Sequence, residues 1–483
     1  MAALKLTSAI LFSLALRSSY AQTSSGNDTV LTACHSIASA VSSASGVYFP
    51  GSSNYAADIA HWANSSTENA VCSAEPGTAA DVGAILRIVG QSRSPFGVKG
   101  GGHSPNPGFS SSTGIEISMT RFSEVTYHES SQTVDVGPGL IWDEVYSALA
   151  PQNVSVVGGR IEGVGLAGFT LGGGLSYKSN QRGLSLDNVQ AYELVLPNGT
   201  VTTVTSADDD LWFGIRGIVT KFTLKTFQQT EIWGGTVVVP SSGLDAAVDA
   251  IVAFQDNVTD PKADINAAFV YAAGEVILNL LIFYDAPTPP AGIFDGFLAI
   301  PGANASSVST RTFLDMVRFE TGTGSADPNI LLNAAPVITF SKPVLNAVIN
   351  ETQFWGDRLT PESASTWFNV VEVFLPSMFS HGSPSAYPPD RSVTISPVNL
   401  FLGWTNSSAT DIMHDALVQS AAQMRAVAVA DGQDVANAAI YSNYALDDAP
   451  LASVYGGNVQ RLHEIRGTYD TDNVMGLAGG FKF

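Results

Sequence analysis

Two glycine-rich runs hold the residues with the clearest chemical potential. Lys99-Gly100-Gly101-Gly102-His103-Ser104 follows a short strand-like stretch, Phe96-Gly97-Val98, so a strand feeds a loop whose residues largely lack Cβ. Such a loop can aim successive backbone N–H groups at one anionic phosphate. The second run, Gly158-Gly159-Arg160-Ile161-Glu162-Gly163-Val164-Gly165-Leu166-Ala167-Gly168, is followed by Gly172-Gly173-Gly174. Either run alone reads as tight turns between strands; two in one lobe suggest one long phosphate-bearing ligand. Gly163 to Gly168 formally matches G-x-G-x-x-G, and Asp187 lies about where a ribose-binding acid is expected. A dinucleotide fingerprint of that kind needs a long helix opening at the third glycine, and Gly172 to Gly174 would break it. The nicotinamide reading is rejected.

His103 directly follows three glycines, which holds it where a bound cofactor would come closest; the alternative is an ordinary surface or core histidine. Tyr441-Ser442-Asn443-Tyr444 reads as strand-like, with Tyr441 and Asn443 on one face and Tyr444 on the other. The plain alternative is aromatic core. The sequence has no G-x-S-x-G elbow, no H-E-x-x-H, no Walker loop and no His/Cys cluster at metal spacing, so no metal is expected.

The elements that must position these groups alternate in type. Val82, Ile85, Leu86 and Val89 recur at helical spacing, as do Trp142, Val145, Tyr146 and Leu149. Residues 115–118, 125–127 and 133–136 read as strands, and 189–196 with 200–204 flank the turn Pro197-Asn198-Gly199. From about residue 230 strand-like runs at 237–239, 269–271, 276–282 and 368–374 alternate with helical patterns at 246–254 and 412–429. Residues 383–389 form a loop long enough to border a site.

The chain has 483 residues, 45% of them hydrophobic, with 43 acidic against 22 basic side chains and a net charge of −21. It has ample material for cores and the length for two or three lobes. The acidic balance, without a Lys/Arg block, excludes nucleic acid and anionic membrane as partners. Residues 1–21 read as a cleaved signal segment, with Lys5 before the apolar run Leu6–Leu16. Asn-x-Ser/Thr acceptors stand at Asn27, Asn64, Asn153, Asn198, Asn257, Asn304, Asn350 and Asn406. A soluble, secreted chain is expected, in which Cys34 and Cys72 form a disulfide rather than a thiol nucleophile or metal ligand.

Val98 to Ser104, Gly158 to Gly174, Asp210-Leu211-Trp212, Gly217-Ile218-Val219-Thr220, Tyr441-x-Asn443-Tyr444 and Gly479-Gly480-Phe481-Lys482 together resemble the berberine bridge enzyme-like FAD-linked oxidoreductases. These belong to the vanillyl-alcohol oxidase, or PCMH-type flavin, superfamily, and the likeness is to its secreted fungal members. The resemblance implies an α+β fold of two lobes. A PCMH-type FAD-binding domain would occupy 71–228 after an N-terminal disulfide-bearing segment, 22–70. A substrate domain with an antiparallel sheet would occupy 229–435, and 436–483 would return to the FAD domain.

By the same resemblance, FAD is cradled by Lys99, Gly100, Gly101, Gly102, His103 and Ser104; by Gly158, Gly159, Gly163, Val164, Gly165, Gly168, Gly172, Gly173 and Gly174; and by Gly217, Ile218 and Val219. His103 stands at the position of the covalent bond to the flavin 8α carbon. With no cysteine between Gly158 and Gly174, that link would be single. Tyr441 and Asn443 would lie by the flavin. Tyr444 would be the base, with Tyr441 or Glu372 as alternatives. The expected function is oxidation of a small organic substrate, an alcohol, phenol or alkaloid, by hydride transfer to flavin and then to O2, giving H2O2 from a monomer. Oxidative cyclisation is the alternative. One departure stands out: the family inserts a glycine/asparagine-rich loop after the equivalent of Arg216, whereas here Arg216 runs straight into Gly217. That departure raises a third reading, a redox-inactive binding glycoprotein.

Overall fold

The computed structural model describes residues 24–319 and 327–483; the expected signal segment lies outside the described residues. Strands Gly46–Tyr48 (β1), Cys72–Glu75 (β2), Phe96–Lys99 (β3) and Ile115–Ser118 (β4) form a sheet in the order β1-β2-β4-β3. β4 runs parallel to both β2 and β3. Parallel neighbours need a crossover, and helix Ala79–Ser92 supplies one, burying the expected Val82, Ile85, Leu86 and Val89. The Thr78 side chain caps it by accepting from the Asp81 amide. A Cys34–Cys72 disulfide ties helix Ser24–Ala40 to β2.

Val125–His128 (β5) and Thr133–Val136 (β6) open a second sheet, β5-β6-β10-β8-β9, completed by Val189–Val195 (β8), Val201–Val204 (β9) and Ile218–Lys225 (β10). Val154–Ser155 (β7) pairs instead with Phe227–Gln228 (β11). The β8–β9 hairpin turns at the expected Asn-Gly, where Leu196 N donates to Thr200 O and Gly199 takes φ +81°.

The second lobe is one antiparallel sheet of seven strands: Ile232–Val239 (β12), Ala263–Ala272 (β13), Glu275–Tyr284 (β14), Ser309–Arg311 (β15), Asn329–Val337 (β16), Ala364–Val373 (β17) and Ser396–Trp404 (β18). Their order is β15-β12-β14-β13-β17-β18-β16. Alternation along each strand gives the sheet two different faces. Ile265, Ala267 and Phe269 on β13, Val371 on β17 and Leu400 on β18 are fully buried in a core. That core also takes residues of helices Leu244–Asn257, Lys342–Leu359 and Thr410–Ala430. The intervening residues face the first lobe.

The last segment returns to that lobe, where Ala478 bridges Phe96 of β3 and Val474 enters the same core. Residues 441–444 are not a strand: Tyr444 N and Ala445 N both donate to Tyr441 O, which closes a turn. Tyr444 is therefore not on the face opposite Tyr441; the two rings meet edge to face at 4.7 Å. Between the lobes, Asp285 accepts bonds from Lys178, Gln181 and Gln229. Among the described residues no helix is long and apolar enough to cross a membrane.

The two glycine loops touch back to back. A Cβ on Gly101 would lie 2.4 Å from Gly165 Cα, and one on Gly165 would lie 2.7 Å from Gly101 N. At Gly168, three residues on, a Cβ would meet no atom within 4 Å. Gly101→Ala and Gly165→Ala should each cost about 1–3 kcal/mol or more of overpacking, read as a lower urea midpoint of the cofactor-free chain. Gly168→Ala, within helix Leu166–Leu171 and with open space for the methyl, should not lower that midpoint.

Candidate active site

A cavity of about 1150 Å³ lies between the glycine loops of the first lobe and the open face of the seven-stranded sheet. Gly100, Gly101, Gly102, His103 and Ser104 line it, as do Gly159, Val164, Gly165, Gly168, Gly172, Gly217, Ile218, Val219, Tyr441, Asn443 and Tyr444. The sequence-predicted set thus converges on one space, with five exceptions. Lys99 turns away and donates from Nζ to Ala57 O and Ala60 O. Gly158 backs onto the Trp142 ring, and Gly163 N donates to Asp143 Oδ1. Gly173 faces Tyr387, and Gly174 N donates to the Tyr441 hydroxyl. These five lie off the wall and shape the turns behind it.

His103 is half-buried and stacks on Trp62 at 4.2 Å between ring centroids, with planes 12° apart. Trp62 is in turn held to the loop, its backbone N donating to Gly102 O. Burial lowers the His103 pKa to about 4, so the ring is neutral across the physiological range. Trp62 carries no motif, and nothing in the sequence singles it out.

Opposite stands a cluster drawn from both lobes. Arg160, in the second glycine run, pairs with Glu372 of β17 at 2.8 Å and donates to Asn266 Oδ1 of β13 at 2.6 Å and to the Tyr444 hydroxyl at 3.2 Å. The Tyr444 O–H donates to Glu372 Oε1 at 2.7 Å. Asn266 Nδ2 donates to Asp264, whose carboxyl burial pushes well above the usual range. Burial opposes the Arg160 charge, but Glu372, Tyr444 and Asp264 outweigh it and hold the guanidinium protonated. Burial first, and then the Glu372 charge, raise Tyr444 well above an ordinary phenol despite the nearby Arg160. Tyr441 differs: its oxygen accepts from Gly174 N, Leu175 N and Asn443 Nδ2, yet burial still pushes it up to about 12. Its contacts are those of an anchor for the 172–175 turn.

The cavity suits a long group held by backbone. Gly168 and Gly480 both line it, and a Cβ at either would find no neighbour within 4 Å, so the walls are cut back where a ligand would lie. The chain passes from Arg216 directly into β10, and Gly217 to Val219 face the cavity. The Arg216 guanidinium lies over the Phe483 ring at 5.8 Å.

Residues 71–205 match the FAD binding domain family. An FAD-dependent monooxygenase, tpcD, of Cochliobolus heterostrophus is 30% identical over 438 residues, which is 83% of this chain and 82% of that protein. Two further curated relatives are matched over only about half their length, 48% and 50%. The fold is shared with Physcomitrella patens BBE-like 1 (TM-score 0.73, 21% identity, 92% of this chain and 97% of that one). It is shared also with xylooligosaccharide oxidase from Myceliophthora thermophila (TM-score 0.74, 19% identity, 95% and 100%). Fold and site together define a PCMH-type FAD-dependent oxidoreductase. The chain belongs to the berberine bridge enzyme-like FAD-linked oxidoreductases.

Removing Arg160 would strand Glu372 as an unpaired buried carboxylate. Arg160→Met should destabilise the fold by about 3–5 kcal/mol in urea denaturation at neutral pH. Adding Glu372→Gln should recover most of the loss; no recovery would show that the pair is not the cause.

Proposed function

We propose that the protein is a secreted FAD-dependent oxidase of a small aromatic or alkaloid-like alcohol or phenol, with the cofactor tethered through His103. When bound, FAD accepts hydride and returns the electrons to O2 as H2O2. The observation that carries the reading is the Tyr444–Glu372 hydrogen bond at the cavity wall, clamped by Arg160. Tyr444 keeps its proton at neutral pH, which does not suit a free phenolate base. A proton leaving a substrate hydroxyl passes instead to the Tyr444 oxygen as the phenol's own proton moves to Glu372. Tyr444 is then a relay, Glu372 the final acceptor, and Arg160 the group that orients both. Secretion is supported by the Cys34–Cys72 disulfide and by all eight glycosylation-acceptor asparagines being exposed.

A second reading follows from the name of the relative tpcD, a monooxygenase. Isotope-labelled O2 separates the two: an oxidase delivers the label to H2O2 in stoichiometric yield, whereas a monooxygenase delivers it to the product.

Two outcomes test the assignment of roles. Tyr444→Phe and Glu372→Gln should each slow flavin reduction by roughly 10²–10⁴-fold, and the double variant should be no slower than the worse single, because both remove one relay. Multiplied losses would mean that they act independently. The neutral His103 ring is the nucleophilic form, and its pKa lies below the ordinary histidine value, so attachment of FAD to the cofactor-free chain should proceed at a constant rate from pH 8 down to 5 and fail only near pH 4. Acid-stable flavin measured on that series checks it, and a midpoint near 6.5 would show an unperturbed ring.

A further inference from the structure

The open face of the sheet is ordered in rungs. Register places Asn266 beside Glu372, Ala268 beside Val370, and Val270 beside Phe368; across to β18, Val370 meets Asn399 and Phe368 meets Phe401. The first rung carries the acid cluster. The third is apolar, with Phe368 and Phe401 stacked at 4.4 Å and Trp62 against Phe401 at 6.0 Å. Between them lies Asn399, diagonal to Glu372 and hence about 7–8 Å from it along the sheet. Asn266 is fully engaged by Arg160 and Asp264, whereas the Asn399 Oδ1 is buried without a partner at the cavity wall. A buried carboxamide oxygen left unbonded is destabilising, and a bound ligand can remove that cost.

We infer that Asn399 is a specificity residue that hydrogen-bonds a second hydroxyl on a planar, fused-ring aromatic substrate lying on the Val370–Phe368–Phe401 floor, with its reacting end at Tyr444 and Glu372. This rests on the oxidase reading above. Turning the carboxamide over exchanges its N and O, and a hydroxyl, both donor and acceptor, satisfies either orientation. An oligosaccharide suits this stretch of floor less well, because hydroxyls laid on Val370, Phe368 and Phe401 would face side chains that cannot hydrogen-bond them.

The probes are 6-(hydroxymethyl)-2-naphthol, whose two hydroxyl-bearing ends span such a distance, 2-naphthalenemethanol, which lacks the distal hydroxyl, and xylobiose. Anaerobic calorimetry on the holoprotein with its flavin reduced beforehand, a form that cannot take a hydride from a probe, should show the naphthol binding at least 10-fold tighter than 2-naphthalenemethanol, with xylobiose weaker than both. Asn399→Leu should erase the difference between the two naphthalenes while leaving the Kd of 2-naphthalenemethanol unchanged. Asn399→Thr, which keeps one hydroxyl on a strand-compatible frame, should retain part of it and serves if the leucine variant does not fold. Equal binding of the two naphthalenes, equal losses for both in the variants, or tighter binding of xylobiose would overturn the inference. Binding is read apart from turnover, so absence of H2O2 from every probe would instead count against the oxidase reading.

Discussion

The close approach of Gly101 to Gly165 sets the geometry on which the site depends. Two backbones meeting without side chains between them bring one loop that follows β3 and another that precedes helix Leu166–Leu171 into a single wall. Because the contact is between backbones, no rotamer change can absorb an added methyl. Everything the wall presents, from His103 at one end to Arg160 at the other, is placed relative to that contact.

The opposite wall follows a different rule. A sheet whose helices cover one side must turn every second residue the other way, so β13, β17 and β18 each contribute alternate residues to the cavity without any loop being needed. The cost of putting Glu372 and Asp264 there is met by a single cation from the other lobe. Arg160 therefore does two things at once: it neutralises a buried acid pair and it fixes the distance between the lobes at the point where chemistry is placed. Asp285, reached by Lys178, Gln181 and Gln229, is a second tie across the same boundary.

Much of the first lobe was legible because glycine spacing and helical periodicity are local. The crossover helix, the Asn-Gly hairpin and the disulfide pair all appear where the sequence puts them. The sheet strands of the second lobe were legible only as fragments, since runs such as Asp264-Ile265-Asn266 mix polar residues into a strand for reasons that lie in the other lobe. The same cause hid Trp62, Asn266 and Asn399: His103 and Phe401 against Trp62 and Arg160 against Asn266 come from other elements of the chain, and the Asn399 oxygen has no partner in it. The 441–444 turn was misread because Tyr-Ser-Asn-Tyr has strand-like alternation, while the backbone there is set by the two amides that close on Tyr441 O. Lys99 was misplaced for a simpler reason, a long side chain able to leave the loop that carries it and end on Ala57 and Ala60 carbonyls.

The return of the last segment to β3 has a consequence for biosynthesis. Gly479, Gly480 and Phe481 line the same cavity as the loops near residue 100, and Ala478 adds to the sheet from which the first loop springs. During translation the nascent flavin domain, though its own strands are complete by residue 228, lacks part of its wall until the ribosome has passed residue 481. The cavity wall is thereby completed only after the intervening lobe has been made.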